Sequence, residues 1–217
     1  MTLLILDNDG VLVDSEPIAN RVLAELLTEY GDPTTYGQSV TRYLGTTLTY
    51  VREVAEAKLG QALPTDLERR YHDELFARMR TELTPVAGVE TALEAIDLPT
   101  CVASSGTHER IAFALETVGL YDRFAGRIFS AQDVSRGKPF PDLFQFAAER
   151  MGVEPADCVV VEDSPYGVQA AKAAGMAVVG YAALTPASRL DGADRIIASM
   201  AELPGAVRSA GAGRAPC

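Results

Sequence analysis

Apolar and polar positions change period twice along the chain. Leu3-Leu4-Ile5-Leu6 is an unbroken apolar run, too short for a membrane span or a buried helix, and it predicts a fully buried strand. It runs into Asp7-Asn8-Asp9-Gly10, where two acids stand two residues apart. Beyond it, Ser15-Glu16-Pro17 is a helix-start signal with proline near the first turn. Ile18, Val22, Leu23, Leu26, Leu27 and Tyr30 follow at helical spacing, and Gly31 stands where a terminating glycine belongs. A looser stretch leads through Asp32-Pro33 to Gly45-Thr46-Thr47. A second helix is predicted from about Thr49 to Leu59, and a third carries Leu67, Tyr71, Leu75, Met79 and Leu83 at steps of four. No strand pattern interrupts the segment from Glu16 to Leu83, which reads as a small antiparallel helical bundle.

From Thr84 strand and helix patterns alternate. Strands are predicted at Thr100–Ala103, Arg127–Ser130, Cys158–Val161, Ala177–Tyr181 and Arg195–Ile197, and helices at His108–Val118, Pro141–Met151 and Gly167–Ala174. Such alternation predicts an α/β fold, a Rossmann-like parallel sheet covered by helices. The opening strand needs a partner and belongs to that sheet. The expected organisation is therefore an α/β core from residues 1–14 and 84–208, a helical insertion at 15–83, and a disordered tail at 209–217, where small and helix-breaking residues dominate.

Composition narrows the options without naming a chemistry. With 47% hydrophobic and 23% charged residues over 217 positions, the chain has ordinary globular proportions. The net charge of −11 argues against nucleic acid or an acidic membrane surface as partner. Of the three cysteines, Cys101 and Cys158 sit inside apolar strand-like runs; with no Cys-x-x-Cys pair, neither a zinc site nor a disulfide framework is expected. The first residues carry no leader-like pattern, and a cytoplasmic location is expected.

Chemistry gathers at the ends of the predicted strands. Asp7 and Asp9 follow the first strand and would emerge on the same side of an extended chain. Ser104-Ser105-Gly106 offers a hydroxyl and exposed backbone amides where a strand turns into a helix, suited to an anion. Gly137-Lys138-Pro139 holds a cation in a stiff loop. Glu162-Asp163 closes another apolar run with two acids. Each alone has an ordinary reading: helix capping for Ser104-Ser105-Gly106 and Glu162-Asp163, a plain loop for Gly137-Lys138-Pro139, and turn chemistry as readily as a site for Asp7-Asn8-Asp9-Gly10. Together, in this order and all at carboxyl ends of strands of one sheet, they would face one crevice. The chemistry they fit is phosphoryl transfer. Mg²⁺ would lie between Asp7, Asp9 and Asp163, and Lys138 with Ser104 would bind phosphoryl oxygens. Asp7 would be the nucleophile and Asp9 the proton donor and acceptor. A calcium loop is excluded by spacing, since Gly10 falls at position four and Ile18 takes the place of the terminal Glu.

Asp7-x-Asp9-Gly10-Val11, Ser104, Lys138-Pro139 and Glu162-Asp163 together resemble the motif set of the haloacid dehalogenase superfamily, over about residues 3 to 182. Within it the chain is similar to the β-phosphoglucomutase and phosphoglycolate phosphatase branch. The resemblance implies an aspartyl-phosphate on Asp7 and acid–base work by Asp9, whose backbone carbonyl is the usual metal ligand. It also implies phosphate binding by Ser104, Ser105 and Lys138, metal ligation by Asp163, and a ligating or supporting Glu162. Residues 15–83 match the family's mobile helical cap. Its specificity loop aligns with Arg42-Tyr43-Leu44-Gly45-Thr46-Thr47, so Arg42, Tyr43, Gly45 and Thr47 are expected near the leaving group. Ala19 and Leu48 stand where the mutases carry a histidine and an arginine, which favours transfer to water. The expected activity is a Mg²⁺-dependent phosphatase of a small phosphorylated metabolite, with a monomer as the family default. The alternatives are a phosphomutase and a non-enzymatic, receiver-like or scaffold module.

Overall fold

A computed structural model describes residues 2–212. The chain divides into two compact units, one formed by the residues up to Val13 with those from Thr84 onward, the other by Asp14–Leu83.

The first unit is built on six strands: β1 (Leu3–Leu6), β2 (Thr100–Ser104), β3 (Ile128–Ser130), β4 (Cys158–Glu162), β5 (Ala177–Tyr181) and β6 (Arg195–Ile197). All pairings are parallel, in the order β3-β2-β1-β4-β5-β6. β1 is thus central, flanked by β2 and β4, and every one of its side chains is fully buried. Strands covered on both faces read as continuous apolar runs, as β1, β4 and β5 do. Leu3 and Ile5 pack in one cluster with Leu143, Phe144, Ala147, Val168 and Ala171. Leu4 and Leu6 alternate to the opposite face. The chain leaves β1 for β2 on one side and later returns to β4 on the other. The carboxyl ends of β1 and β4 therefore border the switch point, where open α/β sheets form a crevice.

The second unit holds α1 (Glu16–Glu29), α2 (Tyr36–Tyr43), α3 (Leu48–Leu59) and α4 (Leu67–Glu82). Its core gathers Val22, Leu26 and Leu27 of α1 with Tyr43, Val51, Ala55 and Leu67. Ion pairs Arg21–Glu82, Arg78–Glu25 and Arg70–Glu29 (2.7 Å for the last) run down α1 and up α4 and fix their antiparallel register. α2 occupies part of the stretch expected to be irregular. Only Ser39 and Tyr43 of its residues are buried, so no apolar stripe announces it. Its signal is local instead: Thr35 and Gln38 form a reciprocal capping box.

Helices of the first unit are α5 (Val89–Glu94), α6 (His108–Thr117), α7 (Tyr121–Phe124), α8 (Asp142–Met151), α9 (Pro165–Ala173) and α10 (Leu203–Ala212). The short α5 and α7 have too few residues to show a period. α10 corrects the expected tail, because residues 209–212 belong to a helix. Leu203, Ala206, Val207 and Ala210 recur at helical spacing and are buried, and α10 packs against β4, β5 and β6. That docking outweighs the poor helix propensity of the glycines in this stretch. Residues 213–217 of the expected tail lie outside the described residues.

Candidate active site

β1 carries Asp7 to the sheet edge, where its backbone N–H still donates to the Val161 carbonyl of β4 at 3.0 Å. The chain then curls back tightly. Leu12 and Val13 donate to the Asn8 carbonyl at 2.9 and 3.0 Å, and Gly10 turns the corner with φ +77°. Two constraints hold a glycine there. The left-handed φ is one; the other is that a Cβ would lie 2.1 Å from Asp163 Oδ2.

Lys138 is the hub. Its buried Nζ donates to Asp7 Oδ1 at 2.7 Å, to Glu162 Oε1 at 2.6 Å and to the Ala103 carbonyl at 3.0 Å. It therefore ties together the ends of β1, β2 and β4. The Lys138-Pro139 peptide is cis. The fully buried Glu162 also accepts, through Oε2, from the Ser164 N–H at 3.1 Å and hydroxyl at 2.9 Å. Its carboxylate lies against Gly167, where a Cβ would come within 1.8 Å of it. Ser104, at the end of β2, accepts the Gly106 N–H on Oγ at 3.1 Å, and the Gly106 carbonyl accepts from Ser130 Oγ at 2.6 Å. Ser104 is buried, and Ser105 is exposed at the turn.

The electrostatics follow from burial and charge count. Burial pushes the Asp7 carboxyl up to about 7, the nearby Lys138 ammonium opposes this, and the Glu162 charge adds to it. Burial by itself would lower Lys138, but Asp7 and Glu162 together hold it above its usual range. Carboxylate oxygens of Asp7, Glu162 and Asp163 lie within 4.8 Å of one another. Three acids face one ammonium, leaving surplus negative charge on hard oxygen donors. That donor set fits a small divalent cation such as Mg²⁺. Glu162, with both oxygens already bonded to Lys138 and Ser164, is placed to support such a site from behind.

Asp9 departs from expectation. Its carboxylate stands outside the acidic group and instead accepts from Arg110 Nη2 at 2.9 Å, with Asn8 Nδ2 at 3.4 Å from the other oxygen. The same-side projection of Asp7 and Asp9 holds only for extended chain, and β1 ends at Leu6. Arg110 carried no signal in the sequence, being one charged residue among several on an amphipathic helix.

The expected specificity residues lie in the helical unit. Arg42, exposed, and Tyr43 form the last turn of α2, Gly45 turns with φ +69°, and Thr47 caps α3 by accepting the Tyr50 N–H at 3.2 Å. The Tyr43 ring is buried among the apolar residues of that unit's core. It is the large apolar group on α2's buried face, and packing claims it.

A model described as haloacid dehalogenase-like hydrolase matches residues 1–175. A 6-phosphogluconate phosphatase of Escherichia coli (strain K12) is 32% identical over 178 residues, covering 82% of this chain and 80% of its own length. The crystal structure of a haloacid dehalogenase-like protein, ATU0790, from Agrobacterium tumefaciens superposes with a TM-score of 0.91 at 37% identity, over 96% of this chain and 98% of that one. A hydrolase of the same family from Deinococcus radiodurans, solved with bound phosphate and sodium, gives a TM-score of 0.80 at 31% identity, over 97% and 96%.

Proposed function

Because the chain belongs to the haloacid dehalogenase-like hydrolase family and is a hydrolase of phosphate monoesters, we propose that it is a Mg²⁺-dependent phosphatase acting through an aspartyl-phosphate on Asp7. The observation that carries this reading is the Lys138 ammonium shared between Asp7 and Glu162 at the switch point of the sheet. A nucleophilic carboxylate needs orientation and a cation beside the incoming phosphoryl group, and Lys138 supplies both. Lys138 fixes Asp7 Oδ1, leaving Oδ2 to attack phosphorus. Mg²⁺, held by Asp7, Asp163 and the Asp9 carbonyl, would neutralise phosphoryl oxygens. The Ser104 hydroxyl and the backbone N–H of Ser105 bind another phosphoryl oxygen. Asp9 gives its proton to the leaving oxygen as the ester bond breaks, then takes one from the water that releases phosphate and restores Asp7.

The substrate class is a small sugar or carboxylate phosphate, as the name of the E. coli relative supports. Arg42, Gly45 and Thr47 are the proposed specificity positions of the helical unit. Ala19, in α1, offers no imidazole for the phosphate shuttling of a mutase, so water is the acceptor. No helix among the described residues is long and apolar enough to cross a membrane, and the proposed setting is cytoplasmic.

The test is hydrolysis of p-nitrophenyl phosphate. Turnover is expected with Mg²⁺ and is abolished by chelator, and Asp7→Asn is expected to lose at least about a thousandfold. A folded Asp7→Asn protein with full turnover would overturn the mechanism.

A further inference from the structure

Arg110 sits on α6, in its first turn, directly after the Ser104-Ser105-Gly106 turn. Its arm runs over Gly106, where a Cβ would lie 3.7 Å from Arg110 Cδ and 3.5 Å from Ser104 Oγ. It ends on Asp9 Oδ1 at 2.9 Å, with side chains 21% and 19% exposed. We propose that Arg110 is a positioning residue for Asp9, tying the acid–base carboxyl to the turn that cradles the phosphoryl group. The proposal rests on the phosphatase reading above.

The geometry divides the labour between the two oxygens of Asp9. Oδ1 is engaged by a guanidinium that stays charged throughout the reaction. Oδ2 lies 3.4 Å from Asn8 Nδ2, against 2.9 Å from Arg110 Nη2 to Oδ1, and in this scheme it is the oxygen that exchanges the proton. In the first step the Asp9 O–H bond breaks, its proton passes to the leaving oxygen, and the ester P–O bond cleaves as the Asp7–phosphorus bond forms. Asp9 is then a carboxylate with one oxygen already held. In the second step Oδ2 takes a proton from water as the water oxygen bonds to phosphorus and Asp7 is released. A charge-assisted bond in a largely buried place is short and directional, which suits a part that must be aimed. An α6–loop tie with no role in proton transfer would slow every substrate alike.

The experiment compares kcat/KM for p-nitrophenyl phosphate and phenyl phosphate in wild type, Arg110→Gln and Arg110→Lys. p-Nitrophenolate leaves readily without a proton; phenolate needs one. Arg110→Gln is expected to lose about 10- to 100-fold on phenyl phosphate and no more than about threefold on p-nitrophenyl phosphate. Arg110→Lys is expected to recover part of the difference, and it carries the test by itself if the glutamine variant does not fold. In an Asp9→Asn background, Arg110→Gln is expected to cost nothing further. Equal losses on both esters, no loss on either, or the same loss with Asp9→Asn would each overturn the proposal. A wild-type protein that hydrolyses neither ester would overturn the phosphatase reading itself.

Discussion

At the scale of the residue, the site is defined by where side chains are absent as much as by where they are present. Gly167 leaves room for the Glu162 carboxylate, and through it for the second anchor of Lys138. Gly167→Ala is expected to force Glu162 aside and destabilise the protein by about 1–3 kcal/mol. Urea denaturation measures the stability, and kcat on p-nitrophenyl phosphate is expected to fall with it because Lys138 loses its fixed position. An unchanged urea midpoint and kcat would mean that the glycine is not needed for that packing. Asp7, Lys138 and Glu162 could be named from sequence because each ends a strand or follows a rigid loop, and strand order then brings such ends together. Arg110 could not, because nothing along the chain tells an arginine on a helix's wet face from one that reaches a carboxylate 101 positions away.

At the scale of the element, long periodic segments were readable and short or polar ones were not. β5 and β6 run over the expected residues, Ala177–Tyr181 and Arg195–Ile197, and α1 and α4 follow their apolar spacing. α2 escaped because its stability lies in a capping box and in α1, and α10 because docking on the sheet overrode its composition. The α1–α4 pairs give a pH test. The Arg78 hydrogen bond holds the Glu25 carboxyl below its ordinary value, against a smaller opposing effect of burial. A depressed carboxyl contributes stability above its unfolded pKa and loses it as pH falls through the lower, folded one. Glu25→Gln is therefore expected to cost at most about 1 kcal/mol near pH 7, screened because the glutamate is exposed, and almost nothing near pH 2. Thermal melts of both proteins at the two pH values check this; an equal difference at both would assign the effect to something other than the ion pair.

At the scale of the whole molecule, the parallel order β3-β2-β1-β4-β5-β6 sets two acid-bearing strand ends side by side, at β1 and β4. Three carboxylates then face one ammonium, in a chain whose net charge is already −11. Such a site is expected to bind Mg²⁺ only when folded, so added Mg²⁺ should raise the melting temperature. An excess of about a hundredfold over the dissociation constant corresponds to about 2.7 kcal/mol. Asp163→Asn is expected to remove most of that shift, as scanning fluorimetry with and without chelator would show. The same shift in Asp163→Asn and wild type would place the cation elsewhere.

The sequence by itself determined the α/β class, the segment of pure helix between its first two strands, and the residue types at each strand end. These are local matters: side-chain period follows backbone geometry, and a strand buried on both faces must read as unbroken apolar residues. Tertiary structure alone decided which oxygen each cation touches. Lys138 meets Asp7 and Glu162, Arg110 meets Asp9, and Tyr43 is consumed by packing. Those outcomes depend on distances between segments far apart in the chain, and such distances exist only once the core has closed. The opening stretch carries both kinds of information. Its apolar run foretold the strand that leads into Asp7, while only the folded turn at Gly10 set the Asp9 carboxylate against Arg110.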